Sequence, residues 1–477
     1  MHHLRPTWIR LTASALALSL AGCAIGPRYE QAPVIDTPVA FKEGRGEWVR
    51  AVPADTLERG PWWELFGDPV LTDLASRVDV SNQNVAIAVA AYAQARAFVA
   101  EQRGALFPSV TVDGGGNRGG GNGNGNGISA TRRSYQLNIG ASWEPDVWGR
   151  LGRGVSSASA GAQASQADLA AARLSAQGEL AVNYFNLRGT DAQRALLAQT
   201  IDGYQRSFQI TSNRYNAGIV ARTDVLQAET QLTNAQADQL GLERQRAQLE
   251  HAIAVLVGLA PGNFALPVQT ASQEQATVPD IPFDVPSTLL QRRPDIASAE
   301  RRVAQASEQI GIAQSAYYPS LRLSASAGRS AASIGNLLGA SGLVWALGLS
   351  AAQTVFNAGA TRARVEGTRA ALDEAAARYR QTVLTAFQGV ENQLVASRTL
   401  AQQLALRRQA SRAADLVEQQ VLNRYQAGQV NFTEVITAQA TAQNARRNLV
   451  QLQADRQTAA VALIQALGGG WVGIGQD

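Results

Sequence analysis

Apolar positions along this chain change period several times. From about Leu71 to Leu106 they recur at helical spacing, and the run stops before Pro108. Val110 and Val112 then open an alternating stretch. Further on, Tyr135, Leu137, Ile139, Ala141 and Trp143 alternate strictly with Gln136, Asn138, Gly140, Ser142 and Glu144. This period of two predicts strands near 109–117 and 135–144. The Gly/Asn-rich run over 114–127 reads as a flexible loop, and no Lys stands at phosphate-cradle spacing within it. After Trp148-Gly149-Arg150 the helical pattern resumes, dominated by Ala, Ser and Gln, and meets no proline before about Tyr215. At ~1.5 Å per residue such a helix spans about 95 Å, far more than an ordinary globular helix. A return helix runs to about Val257 and closes at Gly258 and Pro261.

The second half repeats this order. After a Pro-rich linker, Arg292-Arg293-Pro294-Asp295 opens a helix that runs to Tyr318 and meets Pro319. Strands are expected near 321–328 and 343–351, then a long helix over about Thr361–Tyr425 and a last one to about Leu467. The turn between the long helices occurs twice, as NRYNAGIVARTDV from Asn213 and NRYQAGQVNFTEV from Asn423, 210 residues apart. In each copy a Gly (Gly218, Gly428) supplies the positive φ of a helix C-cap. Thr223 and Thr433 are expected to N-cap the helices that follow, with Asp224 and Glu434 beside the positive end of the dipole. The fold is therefore expected to be mainly α with a small β part, a duplicated helix-strand-strand-helix-turn-helix unit. The first repeat covers 71–260, a linker 261–290, the second repeat 291–467 and a C-terminal tail 468–477.

Composition removes most chemistry. The formal charge is +4, with arginines scattered along helices, so nothing points to nucleic acid. Of the three histidines, His2 and His3 lie in the leader, and Cys23 is the single cysteine. That leaves no Cys/His metal site of ordinary spacing, no cofactor motif and no catalytic residue to nominate. An enzyme is not expected.

Residues 1–22 have the basic start and apolar middle of a secretory signal peptide, too short for a membrane span. They end Leu20-Ala21-Gly22-Cys23, which resembles the bacterial lipobox, in which the cysteine becomes the acylated first residue. Several acyl chains anchor stably where one would not. By the same resemblance Ala24, rather than Asp, favours the outer membrane. Residues 23–70 then read as a lipid-anchored, extended N-terminal segment rich in Pro and Gly.

The expected strands each have one apolar and one small or polar face. Tyr135, Trp143 and Trp345, with Trp148 and Phe356 close by, would supply an aromatic girdle, as in the wall of a membrane β-barrel. A half-buried soluble sheet would show a similar alternation, but the lipobox and the absence of an apolar helix favour the barrel. Four strands cannot close in lipid, so copies must combine: a dimer gives eight strands, a trimer twelve with room for a lumen. The long helices are too polar for the bilayer and must extend out of it.

Several stretches in order resemble one family: Cys23 to Pro27, Pro61-Trp62-Trp63 with Phe66-Gly67-Asp68-Pro69, Arg292 to Ile296 with Ala299-Glu300, and Val355 to Gly359. Most specific are the twin Arg-Tyr-x-Ala-Gly turns. The whole mature chain resembles the TolC/OprM-type outer-membrane efflux proteins, lipoprotein (NodT) branch. The resemblance implies a homotrimer with a 12-stranded outer-membrane β-barrel continued by a long periplasmic α-helical barrel. It also implies Gram-negative outer-membrane location with a lipid anchor, a periplasmic adaptor and an inner-membrane transporter as partners, and conduction of small molecules to the exterior. By position, Asp224 and Tyr425 would form a closing link at the periplasmic gate. Glu434 would form a carboxylate ring, while Thr437 and Thr433 stand where the family often has a second acid and a constricting Leu. Adaptor docking falls on the tips Asn216, Ala217, Gly218, Gln426, Ala427 and Gly428. A type I protein-secretion exit duct shares this fold, and a non-conducting periplasmic coiled-coil scaffold lipoprotein is the alternative from another class.

Overall fold

The computed structural model describes residues 61–120, 131–269, 293–337 and 343–469, with short pieces at 25–27, 29, 35–36, 38, 40–43, 278–279 and 339. Its helices are α1 (Pro69–Ser81), α2 (Gln83–Gly104), α3 (Arg150–Asn216), α4 (Arg222–Leu256), α5 (Pro294–Ser315), α6 (Ala360–Gln426) and α7 (Phe432–Ala466). Its strands are β1 (Ser109–Gly120), β2 (Thr131–Trp143), β3 (Ser320–Ala331) and β4 (Leu343–Ala352). The two halves give helices of matching length: 22 residues for α2 and α5, 67 for α3 and α6, and 35 for α4 and α7. Contacts divide the chain into two compact units. Unit 1 comprises Met1–Val34, Ala91–Ser165 and Ser298–Arg380, and unit 2 comprises Ile35–Ala90, Gln166–Ala297 and Gln381–Asp477.

Unit 1 holds one antiparallel sheet in the order β1-β2-β3-β4. Cross-strand rows sort its side chains cleanly. Val112 pairs with Ile139, Ile139 with Ala327, and Ala327 with Trp345. Two residues along, Val110, Ala141, Ala325 and Leu347 form the next row of the same face. The intervening row, Thr111, Gly140, Ser326 and Ala346, belongs to the other face. The alternation read from sequence is thus held in register across all four strands. Among the described residues no layer of unit 1 covers the apolar face: Val112, Trp345 and Leu347 are 68%, 70% and 76% exposed.

One expectation fails here. Gly114 to Gly120 do not form a loop; β1 continues through them, paired to β2 as far as Gly120 with Thr131. Glycine is a poor strand former, but here it makes room. A Cβ at Gly116 would come within 3.2 Å of the Tyr135 ring on the partner strand. Residues 121–130 of the expected loop lie outside the described residues.

Near the sheet, a buried guanidinium ties several segments together. Arg153 of α3 donates to Glu308 of α5 at 2.8 Å and to the carbonyls of Gly26 and Pro27 at 2.9 Å. Gly311 must lack a side chain, because a Cβ there would meet Arg153. Ile25 donates its amide to the Trp148 carbonyl, and the Trp148 ring stacks on Tyr318 at 5.0 Å while donating to the Pro319 carbonyl.

In unit 2 the aromatic run Trp62-Trp63 and Phe66 is buried in a 3-10 turn, and Phe66 lies 4.9 Å from the Phe185 ring. Asp68 accepts from the amides of Val70 and Leu71, capping α1, and from the Tyr184 hydroxyl at 2.6 Å. The helix expected as one piece from Leu71 to Leu106 is two. Asn82 is extended (φ −69, ψ 126), ends α1, and accepts from the amides of Asn84 and Val85 to start α2. Its Nδ2 donates to the Leu256 carbonyl at the end of α4. Asp191 is fully buried between α3 and α4 and accepts from Arg246 at 2.7 Å; Arg246 and Glu250 in turn hold the two polar groups of the Leu266 backbone. These bonds fix the start of the linker. Among the described residues no helix is long and apolar enough to cross a membrane.

Candidate functional site

The twin turns lie in unit 2 and are built alike. After α3 the amide of Gly218 bonds the Tyr215 carbonyl and that of Ile219 bonds the Arg214 carbonyl, both at 2.8 Å. After α6, Gly428 and Gln429 repeat this onto Tyr425 and Arg424 at 2.9 Å. The glycines sit at φ +72 and +73, as the pair of bonds requires. Asn216, Ala217, Gly218, Gln426, Ala427 and Gly428 are all exposed.

The N-caps are not the threonines. Ala221 occupies the first cap and offers no side-chain bond; Asn431 occupies the second, its carboxamide oxygen accepting from the Glu434 amide at 3.0 Å. Thr223 and Thr433 each sit one residue inside the helix. The spacing Asn431-x-x-Glu434 is itself a cap signal, and it was legible. Asp224 and Glu434 do fall in the first turn of their helices, where a carboxylate stabilises the dipole by about 0.3–1 kcal/mol.

Identical local sequence leads to different environments. Tyr425 is 6% exposed and Tyr215 is 41% exposed. Tyr425 packs at 5.4 Å from the Phe432 ring and meets Ala228 and Val435, with Phe208 and Ile210 against the same cluster. Arg214 lies over its ring at 4.7 Å and donates to its backbone carbonyl at 2.9 Å. Its hydroxyl lies 3.4 Å from Thr211 Oγ1. Within the chain no hydrogen bond joins Tyr425 to Asp224, which is half-buried without a side-chain partner among the described residues. Arg214, Thr211 and Phe432 were missed from sequence. The signal available was the mismatch between copies, Phe432 standing where copy one has Arg222.

Thr433, Glu434 and Thr437 are exposed together on α7 and border an open groove of about 760 Å³ between α6 and α7. Val417, Val421 and Ala438 line the same groove. The Thr437 hydroxyl donates back to the Thr433 carbonyl, so Glu434 is the one charged group on the groove wall. Arg446 of α7 bonds Asp415 and Glu418 of α6 at 2.7 and 2.6 Å, fixing the two helices to each other.

The girdle residues belong to the sheet of unit 1. Tyr135 and Trp143 lie at opposite ends of their paired stretch, and Trp345 falls by register in the row of Ile139, midway between them. The Trp143 indole donates to the Leu106 carbonyl at 2.9 Å. Cys23 lies outside the described residues. No group of three or more metal-binding side chains occurs among the described residues.

Comparison with known proteins gives these features a class. The chain belongs to the outer membrane efflux protein family, whose sequence profile matches residues 74–259 and 285–469, one range in each half. It is similar to the antibiotic efflux pump outer membrane protein ArpC of Pseudomonas putida, at 29% identity over 97% of this chain and 95% of that protein. It is similar also to the cation efflux system protein CusC of Escherichia coli, at 27% identity over 97% of this chain and 99% of that one. Among solved structures, the open state of the Neisseria gonorrhoeae MtrE outer membrane channel matches at TM-score 0.83 and 28% identity, over 95% of this chain and 100% of that chain.

Proposed function

We propose that this chain is the outer-membrane channel of a tripartite efflux system, conducting small molecules outward from a periplasmic adaptor and an inner-membrane transporter. The observation that carries the reading is the sheet. Its apolar face is uncovered, its alternate face is mostly Gly, Ser, Ala, Asn and Thr with Asp113, Gln136 and Arg322 among them, and β1 and β4 leave unpaired edges. Open edges are excluded from a bilayer, so copies must pair β4 to β1 until the sheet closes. Three copies give a twelve-stranded barrel with an aqueous bore, and the polar 67-residue helices form the walls of a periplasmic tunnel.

Lipid attachment at Cys23 is part of this proposal. Ile25, two residues on, is bonded to Trp148 beside the chain segments that enter and leave the sheet. An anchor starting there would reach the bilayer surface. The exposed hairpin tips are the surfaces for the adaptor, and Glu434, with Thr433 and Thr437 beside it, lines the narrow end of the channel. Asp224 and Tyr425 act there from different sides, Tyr425 as a buried support and Asp224 as an unpartnered acid free to bond a neighbouring copy.

The test is reconstitution of the purified full chain in planar bilayers. Discrete single-channel currents of uniform size are expected. A trimer of normal mass that inserts and yet carries no current would overturn the conducting role in favour of a scaffold.

A further inference from the structure

The face of the sheet that bears Val112, Ile139 and Trp345 is not apolar throughout. The same alternation places Arg118 of β1, Arg133 of β2 and Arg329 of β3 on it. Among the described residues no Asp or Glu of the four strands stands on that face, and Asp113 belongs to the other one. Arg118 and Arg133 are direct cross-strand partners, both exposed, with no side-chain partner among the described residues. Like charges directly opposite on a sheet, their Cβ atoms ~5 Å apart, repel each other. An anion between them replaces that repulsion with charge-assisted hydrogen bonds, and the guanidinium fork suits phosphate oxygens. Arg329 stands in the row of Leu137 and Leu343, yet it turns its guanidinium to the Gly339 carbonyl in the β3–β4 connection. It too carries its charge away from the apolar rows.

Position along the strands says what kind of anion fits. The chain enters β1 from α2 at Ser109 and leaves β2 for α3 at Trp143, so Arg118 and Arg133 lie at the end far from the helices. Ten residues separate Arg133 from Trp143. At ~3.3 Å per residue and a strand tilt of about 40°, they span roughly 25 Å of height, the thickness of the apolar band of an outer-membrane barrel. Tyr135, whose ring lies against Gly116, is the next residue of that face, and Leu137 and Ile139 follow. The order down the face is therefore guanidinium, phenol, hydrocarbon. A free anion would engage the arginines alone, whereas an acylated one engages all three zones. We infer that Arg118 and Arg133 together hold the headgroup phosphates of an outer-leaflet lipid, whose acyl chains lie along the apolar rows below. The inference rests on the outer-membrane channel reading above and names the lipid its rim selects. Closing the barrel pairs backbone edges, so Arg118 stays on the outward face and the site occurs once per copy.

The experiment is native mass spectrometry of the purified full chain in neutral detergent with added bisphosphorylated lipid A. The parent should retain the lipid, and the double variant Arg118→Gln with Arg133→Gln should bind it at least about tenfold more weakly. Arg118→Lys with Arg133→Lys keeps the charge and should keep most of the binding. Arg322→Gln, on the opposite face near the helix end, should bind as the parent does. Lipid A stripped of its phosphates should no longer distinguish the parent from the Gln pair. Inorganic phosphate retained as firmly as the lipid would overturn the lipid in favour of a free-anion site. Planar-bilayer currents run in parallel, and the Gln pair should conduct as the parent does. Equal lipid A retention by the parent and a conducting Gln pair would overturn this inference and leave the channel standing. Should the Gln pair fail to insert, each single Gln variant serves in its place. A parent that gives neither a trimer nor a current would overturn both readings.

Discussion

At the scale of single residues, polar atoms decide more than apolar ones. Asp68 collects three donors, two from the start of α1 and one from Tyr184. Burial, and then the bond to Asp68, push the Tyr184 hydroxyl above its ordinary range, so it stays a neutral donor. A raised folded-state value means that this stabilisation is complete below pH of about 10 and is lost as pH climbs through the raised value. Tyr184→Phe should lower stability by about 1–2 kcal/mol at neutral pH. It should also flatten the alkaline decline, and denaturant melts at pH 8 and pH 11 would read both effects. A variant as pH-sensitive as the parent would remove Tyr184 from the account. Sequence showed the Phe66-Gly67-Asp68-Pro69 turn but not the tyrosine that meets it, since 116 residues separate the partners. The contrast between Tyr215 and Tyr425 was hidden for the same reason. Both stand in Arg-Tyr-x-Ala-Gly, and only the neighbouring helix distinguishes them.

At the scale of elements, the reading worked where one period ran unopposed. The alternating residues of β2, β3 and β4 became strand, Glu144 alone falling just past the end of β2, and the glycines at φ +72 and +73 end their helices. It failed where a strong pattern masked a local signal. Helical spacing on both sides of Asn82 hid the break, although Ser-Asn before a new helical run is a cap signal. The glycines of β1 hid a strand, because pairing with β2 overrides their weak intrinsic preference. The break at Asn82 has consequences for stability. Asn82 is 3% exposed and serves α1, α2 and the end of α4 at once. Asn82→Ala should cost about 2 kcal/mol, combining a lost cap with an orphaned buried carbonyl. Hydrogen exchange should quicken at the amides of Asn84 and Val85 before it does elsewhere in α2. Uniform exchange across the helix would contradict the capping role.

At the scale of the whole molecule, the resemblance carried in the ordered motifs agrees with the family match and with channel structures along nearly the full chain. The acid on the groove wall makes its own prediction at this scale. In the proposed trimer, three copies would bring three Glu434 carboxylates around one opening, and rings of acids favour cations. Glu434→Ala should move the reversal potential in a KCl gradient toward zero. An unchanged potential would place Glu434 off the conduction path.

The way the two units share the chain bears on how the protein is made. Each is assembled from three separate segments, and four of the five crossings between them fall inside α2, α3, α5 and α6, the other lying between Val34 and Ile35. Unit 1 therefore cannot be completed until Arg380 has been synthesised, and β2 must wait for β3, whose Ala331 pairs with Tyr135. Closing contacts of such long range makes folding slow. For a chain expected to cross the inner membrane as an unfolded thread, that delay is useful. While the second half is still on the ribosome, β2 lacks its second neighbour and Arg153 lacks Glu308, so unit 1 stays incomplete and the polypeptide remains easier to thread for export.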